Sequence, residues 1–137
     1  MPQTHKSILG LDVGARRVGL ALASLDTKFA SPLKTLEQGE QFWEQLQSVI
    51  DTEQVAEIVI GLPRGMSGQQ TLQTTETESF VTELKTRFEL PTHLQDEALT
   101  SSKAKQELED RGKPYTKGDV DALAATYILE DYINGTL

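Results

Sequence analysis

Residues 10–23 read GLDVGARRVGLALA, and this stretch decides how the fold begins. Small and apolar residues suitable for two buried strands flank a short turn, in which Gly14 can supply a positive φ angle. Asp12 interrupts the first of these strands, and a buried carboxylate is costly unless it is paired or protonated. The stretch therefore predicts a hairpin at the start of a sheet, and it raises the question of what Asp12 is paired with.

The composition is that of an ordinary globular domain. Of 137 residues, 37% are hydrophobic and 25% are charged, and the chain has no cysteine and two histidines. These counts exclude disulfides and cysteine-ligated zinc, and they argue against a histidine zinc site. No apolar run is long enough to span a bilayer, and the N-terminus is polar. We therefore expect one cytoplasmic domain over residues 1–137, without membrane contact.

The net charge of −8 weighs against a nucleic-acid partner, because phosphate contacts need positive charge. The charge is unevenly distributed, however. Residues 37–57 contain six acidic residues and no lysine or arginine, so a helix in this region carries much of the excess on a solvated face. The basic residues lie elsewhere in the chain, and net charge alone decides nothing about the partner.

The apolar pattern predicts the element order βββαβαβαα. Strands are expected at residues 7–13, 17–24, 28–36, 55–61 and 90–97, and helices at residues 39–53, 71–88, 100–111 and 119–134. Pro32 places the third strand at an edge or a bend. Hairpin strands followed by alternating strands and helices predict an α/β fold, with a five-stranded mixed sheet flanked by helices.

Three acidic residues occur where ligands gather in open α/β sheets, outside the carboxyl ends of the strands. Asp12 lies at the end of the first strand, Glu97 ends the fifth strand, and Asp121 lies in the first turn of the last helix. If strands one and five are neighbours and the last helix packs over them, these carboxylates converge. Such a cluster suits Mg²⁺ or Mn²⁺ and fits metal-assisted phosphodiester hydrolysis.

The acids also have structural interpretations, and the residues alone leave both kinds open. Asp12 can instead form a salt bridge with Arg16 or Arg17. Asp121 can simply complement the dipole of its helix. Asp119 is better interpreted as a helix N-cap than as a ligand.

Five motifs together resemble those of the YqgF/RuvX family, the bacterial proteins similar to Holliday junction resolvases and regarded as pre-16S rRNA nucleases. They are LGLDVGARRVGLALA, ASPLKTL, IVIGLPRGMSG, DEALTS and VDALAATYILEDYI, in the order the family has them. The resemblance covers residues 8–133, and it implies a ribonuclease-H-like fold.

Carried over residue by residue, the family's catalytic and metal-binding acids fall on Asp12, Glu97 and Asp121. Adjacent strand residues point to opposite faces, so only one of Asp96 and Glu97 can easily join a site, and the resemblance favours Glu97. The family's hairpin arginine matches Arg17, as a phosphate contact or an orienter of the site.

The chain departs from the family pattern at three positions. Ala98 stands where an arginine is typical, and Gly65 and Ser67 replace a usual polar pair. The metal ligands are unaffected. Ala98 can mark a lost phosphate contact, or it can simply fit a tight turn between strand and helix. In the first case we expect substrate binding to be weak and salt-sensitive, through the contacts that remain, namely Arg17, Arg64 and Lys103.

The resemblance implies a metal-dependent phosphodiester hydrolase that processes the 5′ end of precursor 16S rRNA with Mg²⁺ or Mn²⁺. Three alternatives stay open: a resolvase of DNA four-way junctions, a nucleotide-binding domain of the actin and sugar-kinase type, and a non-catalytic ribosome-assembly factor. A resolvase needs two symmetry-related sites and hence a stable dimer. No obvious dimer surface occurs in the sequence, so we expect a monomer or a weak homodimer.

Overall fold

A computed structural model of the chain describes residues 6–63, 72–97 and 100–135. The strands are β1 (Ser7–Val13), β2 (Arg17–Ser24), β3 (Ala30–Glu37), β4 (Val55–Pro63) and β5 (Thr92–Glu97). The helices are α1 (Phe42–Thr52), α2 (Leu72–Arg87), α3 (Thr100–Asp110) and α4 (Lys117–Gly135). The predicted element order is confirmed, with boundaries that differ by a few residues.

The strands form one five-stranded sheet in the order β3-β2-β1-β4-β5. The pairs β1–β2 and β2–β3 are antiparallel, whereas β1–β4 and β4–β5 are parallel. The predicted mixed sheet is therefore confirmed. β3 is an edge strand, and a register shift occurs where Leu20 pairs with Lys34 and Ala21 pairs with Pro32, as the proline predicted.

The two faces of the sheet carry different helices. On one face, α1 and α2 pack with Leu9, Leu11 and Ile60, in a core that also includes the aromatic residues of both helices. On the other face, α4 covers the small residues of β1, β2 and β4, and α3 packs on the outside of α4. Apolar side chains on both sides of the central strands explain why those strands read as nearly continuous apolar runs.

Two local expectations are corrected by the structure. Among the described glycines only Gly112 has a positive φ, so Gly14 is not needed for that reason. Instead, the Gly14 amide donates to the Arg17 carbonyl at 2.9 Å, and a Cβ at position 14 would lie 2.9 Å from that oxygen. A close backbone approach in the turn therefore explains the glycine.

The start of α4 is the second correction. Thr116 caps the helix: its hydroxyl accepts the Asp119 amide at 3.1 Å, while the Asp119 carboxylate accepts the Thr116 amide at 2.9 Å. Asp119 is thus the reciprocal partner in a capping box rather than the N-cap itself. The helix begins at Lys117, so Asp121 lies in its second turn. None of the described helices is both long and apolar enough to cross a membrane.

Candidate active site

Asp12 lies near the end of β1, on the face of the sheet that α4 covers. Its neighbour two residues earlier, Gly10, lies directly beneath Leu129 of α4. Burial, and secondarily the negative charge of Asp121, raise the pKa of Asp12 from 3.8 to about 7. Within the described part of the chain no basic side chain pairs with this carboxylate. The proposed salt bridge from Asp12 to Arg16 or Arg17 is therefore not found there.

Asp121 reaches this position because α4 packs directly on the backbone of β2. A Cβ at Gly19 would lie 2.0 Å from the Asp121 carbonyl oxygen and 2.8 Å from the Ala122 nitrogen. Gly19 is also the cross-strand partner of Asp12. Only a residue without a side chain allows the helix backbone so close to the site.

A hydrogen bond from β3 fixes the same end of the helix. The Thr35 hydroxyl donates to the Gly118 carbonyl oxygen at 2.7 Å, and Thr35 is the cross-strand partner of Gly19. Sequence reasoning missed both Gly19 and Thr35. The available signal was a glycine in the interior of an otherwise apolar strand, which often marks a site where another backbone approaches closely.

Arg17 holds the second carboxylate. Its Nε donates to Oδ2 of Asp121 at 2.7 Å, and the two side chains are 32% and 19% exposed. This charge-assisted bond fixes the direction of the Asp121 carboxylate and offsets part of its repulsion with Asp12. An ion pair across the fold is a more specific role than complementing a helix dipole, the alternative left open for Asp121.

Glu97 ends β5, and the expected route that would bring it to Asp12 is not the one the sheet provides. The premise that β1 and β5 are neighbours is wrong, because β4 lies between them. Two strand spacings of about 5 Å each separate β1 from β5. His93 stacks on Tyr132 of α4, so it lies on the α4 face of β5. Alternate residues of a strand share a face, so positions 95 and 97 belong to the same face as position 93. The Glu97 side chain itself lies outside the described residues.

Of the remaining predicted substrate contacts, Lys103 is described, and it is not brought to the two acids. Lys103 of α3 places its Nζ 4.4 Å from the ring centre of Tyr127, which lies about 9 Å along α4 from Asp121. A cation on an aromatic face is an attractive contact in its own right. The predictions for Arg64, Gly65, Ala98 and Ser67 fall outside the described residues.

The donor set fits a hard divalent cation. Asp12 and Asp121 offer carboxylate oxygens only, which are the ligands of Mg²⁺ and Mn²⁺ rather than of Zn²⁺. A cation between them would offset the burial and repulsion that raise the pKa of Asp12. No group of three metal-ligating side chains is found among those the structure describes, a set that does not include Glu97.

Sequence comparisons identify relatives along nearly the whole chain. A family profile described as "RuvX: Holliday junction resolvase" matches residues 6–135. A protein of Maridesulfovibrio salexigens named "Putative pre-16S rRNA nuclease" is 38% identical over 130 residues, which covers 92% of this chain and 96% of the relative. A protein of the same name from Crocosphaera subtropica is 39% identical over 132 residues, 93% of this chain and 92% of the relative.

Solved structures with a similar fold are Holliday junction resolvases. RuvC of T. thermophilus, in complex with a Holliday junction substrate, superposes with a TM-score of 0.56 at 15% identity, over 95% of each chain. The resolvase of Fowlpox virus, with its substrate DNA, gives a TM-score of 0.55 at 12% identity, over 96% of this chain and 99% of the other. At this identity the likeness establishes the ribonuclease-H-like fold and nothing finer.

Proposed function

This chain belongs to the RuvX family, and on that premise we propose that it is a metal-dependent nuclease that processes the 5′ end of precursor 16S rRNA. Membership of the family makes it a phosphodiester hydrolase acting on nucleic acid. The proposal adds the metal, the residues that hold it, and the RNA substrate. Such a role would be carried out in the cytoplasm.

One observation carries the proposal. Asp12 is buried beside a second carboxylate, and no described cation is paired with it, although Arg17 is close enough to bind Asp121 at 2.7 Å. A structural aspartate in this environment would be expected to take the arginine for itself. Leaving a largely buried acid without a basic partner is costly for folding, and it is understandable if that acid binds a cation during function.

In the proposed mechanism, Asp12, Asp121 and Glu97 hold Mg²⁺ or Mn²⁺. The bound ion would supply activation of a water molecule and stabilisation of the leaving oxygen. Hydrolysis adds that water to phosphorus and breaks a phosphorus–oxygen bond, giving a phosphate monoester and a free hydroxyl group. Arg17 orients the Asp121 carboxylate, and α4 shields the buried side of Asp12 from bulk water.

The choice of RNA rests on the nearer relatives. Proteins that are 35–39% identical over most of the chain are named for precursor 16S rRNA. The family description instead names Holliday junctions, and this supports DNA four-way junctions as the second candidate substrate. Junction resolution requires a dimer with two sites, so sedimentation combined with junction cleavage separates the two candidates.

The decisive experiment incubates the purified protein with Mg²⁺ or Mn²⁺ and a short single-stranded RNA that spans a precursor 16S rRNA end. We expect cleavage that is lost in Asp12→Asn and in EDTA, and that gains little from Zn²⁺. Asp51→Asn is the matched control, because Asp51 is an exposed acid on α1 whose carboxylate bonds only Gln47 among the described residues. Full activity of Asp12→Asn, or activity undiminished in EDTA, contradicts the proposal.

A further inference from the structure

An open groove lies next to the candidate site on the α4 face of the sheet. One wall is β3 at residues 32–35, the other is the connection between α3 and α4 at residues 111–116, and the first turns of α4 form the floor. Its volume is about 500 Å³. The groove is therefore large enough for a nucleotide-sized group, and no feature of the proposed catalytic chemistry uses it.

The groove is continuous with the candidate site. Asp12, Gly19 and Thr35 are cross-strand partners in one row over β1, β2 and β3, and Thr35 lines the groove. Two strand spacings of about 5 Å separate Asp12 from Thr35 along this row. Ala122 of the groove floor directly follows Asp121. A nucleic-acid strand with one phosphate at the acids thus has its neighbouring residues within reach of the groove.

The charges in the groove are unusual for so acidic a chain. Lys113 lines one wall; its side chain is exposed, and its ammonium group is paired with no described residue. Lys34 also borders the groove, but it is the cross-strand partner of Leu20, which lies in the core beneath α1 and α2, so its side chain belongs to the other face of the sheet. Arg111 adds a second cation but is held by Glu107. The one lining carboxylate, Asp119, is engaged in the helix cap. In a protein of net charge −8, an unpaired lysine at a groove beside the candidate site is a local attraction for phosphate.

Apolar surface completes the groove. Tyr115, in the wall at residues 111–116, is half-buried against the core cluster that includes Leu108 and Leu123, and its hydroxyl donates to Glu109 at 3.2 Å. Pro32, Leu33 and Pro114 also line the groove. Cations that follow a phosphate backbone and an aromatic ring that a base can contact are the usual parts of a single-strand binding site. A duplex would present its bases stacked inside and leave the ring unused.

We propose that this groove binds the nucleotides of a single-stranded RNA that flank the cleaved phosphate, with Lys113 on the backbone and Tyr115 against a base. The inference rests on the proposed nuclease function and adds to it the position of the substrate strand. It also accounts for recognition of an acidic polymer by an acidic protein, since attraction comes from a few local cations rather than from net charge.

The test measures binding of a labelled single-stranded RNA in EDTA, where no cleavage occurs, at several salt concentrations. Each phosphate contact contributes a slope of about −0.7 to the dependence of log K on log salt. Lys113→Ala should therefore weaken binding and flatten the slope by about 0.7. Lys85→Ala is the control, because it removes the same charge from an exposed position of α2 on the opposite face of the sheet.

The ring is tested separately. Tyr115→Ala should weaken RNA binding about 5- to 100-fold, the range expected for one lost base contact, whereas Tyr115→Phe keeps the ring and should bind like the parent protein. If the lysine and tyrosine variants bind RNA like the parent and the Lys85 control, the groove is not the RNA site. The groove is also not the RNA site if the lysine and tyrosine variants lose affinity for a DNA four-way junction but not for single-stranded RNA.

Hydrolysis of bis(p-nitrophenyl) phosphate separates this inference from the function on which it rests. That diester is too small to reach the groove from the acids, so the groove variants should hydrolyse it as the parent protein does. A parent protein that hydrolyses neither this diester nor RNA contradicts the nuclease proposal, whatever the binding data show. Active parent protein with unchanged RNA affinity in every groove variant contradicts the groove alone.

Discussion

The two faces of the sheet are built from opposite kinds of residue. Beneath α1 and α2 the strands present large side chains such as Leu11, Leu20 and Ile60, which meet a cluster of aromatic rings from both helices. Beneath α4 the same strands present Gly10, Gly19, Gly61 and alanines. Large side chains hold a helix away from a sheet, whereas missing side chains let the helix backbone come down onto it.

This difference separates stability from placement. The face beneath α1 and α2, here called the aromatic face, buries most of the large apolar side chains, so it supplies much of the hydrophobic stabilisation. It contains none of the proposed catalytic groups. The face beneath α4, here called the glycine face, fixes how closely α4 approaches the sheet and where it lies along it. It thereby fixes the distance between Asp121 and Asp12. Substitutions on the first face should change how much protein is folded. Substitutions on the second should change what the folded protein can do.

The largest effect is expected from Gly19→Ala. The new methyl group would lie 2.0 Å from the Asp121 carbonyl oxygen, and a backbone atom cannot rotate away as a side chain can. We expect a loss of more than about 4 kcal/mol in the free energy of unfolding, or no folded protein, and no cleavage by any folded fraction. Denaturant titration measures the stability. Gly39→Ala is the control, since nothing lies within 4 Å of a Cβ at that position; equal stability of the two variants would contradict the close approach of α4.

Leu46→Ala tests the aromatic face. Leu46 of α1 is fully buried in the core beneath α1 and α2. Its truncation should cost about 3 kcal/mol through lost burial and a residual cavity. Cleavage activity per folded molecule should stay unchanged, because the cavity opens on the face away from Asp12. A fall in activity greater than the loss of folded protein would show that the two faces are not independent.

The pH dependence of stability tests the cost of the buried acid. The pKa of Asp12 is about 7 in the folded protein against an ordinary 3.8, so the folded state keeps a proton that the unfolded chain releases. The free energy of unfolding of the metal-free protein should therefore fall as the pH rises from about 4 to about 7. The shift corresponds to about 4 kcal/mol at most, and relaxation around the charge should reduce this to about 2 kcal/mol.

Asp12→Asn should abolish that fall. Compared with the parent protein in EDTA, the variant should be more stable by about 2 kcal/mol at about pH 8 and nearly equal in stability at about pH 5. Denaturant titrations at the two pH values measure the difference. A variant that is less stable than the parent at the higher pH would indicate that Asp12 has a stabilising partner.

The smallest effect is expected from Thr35→Val, which keeps the shape of the side chain and removes its hydroxyl. The hydrogen bond to the Gly118 carbonyl would be lost, and stability should fall by about 1 kcal/mol. Because this bond holds the start of α4 against β3, we also expect a lower rate of RNA cleavage, measured alongside stability. Thr82→Val, on an exposed helical hydroxyl that bonds only its own helix, is the control.

Much of the fold could be predicted because it follows from local patterns. The strand boundaries at Ser7–Val13 and Arg17–Ser24 agree with the apolar runs, and the buried positions of α1 follow its helical spacing. The approximate places of Asp12 and Asp121 followed as well, since each stands at the end or beginning of a recognisable element. The start of α4 was missed by two residues, because a capping box formed by Thr116 and Asp119 precedes the apolar pattern.

The sequence by itself determined the elements, the alternation of buried residues along each strand, and the motifs that connect the chain with its family. Only the tertiary structure decided that β4 lies between β1 and β5 and that Arg17 binds Asp121 rather than Asp12. It also decided that the backbone of α4 packs directly on Gly19. The physical reason is range. Periodicity records what each residue needs from its immediate surroundings, whereas Arg17 and Asp121 are 104 residues apart, and their contact depends on how the completed sheet and helix pack.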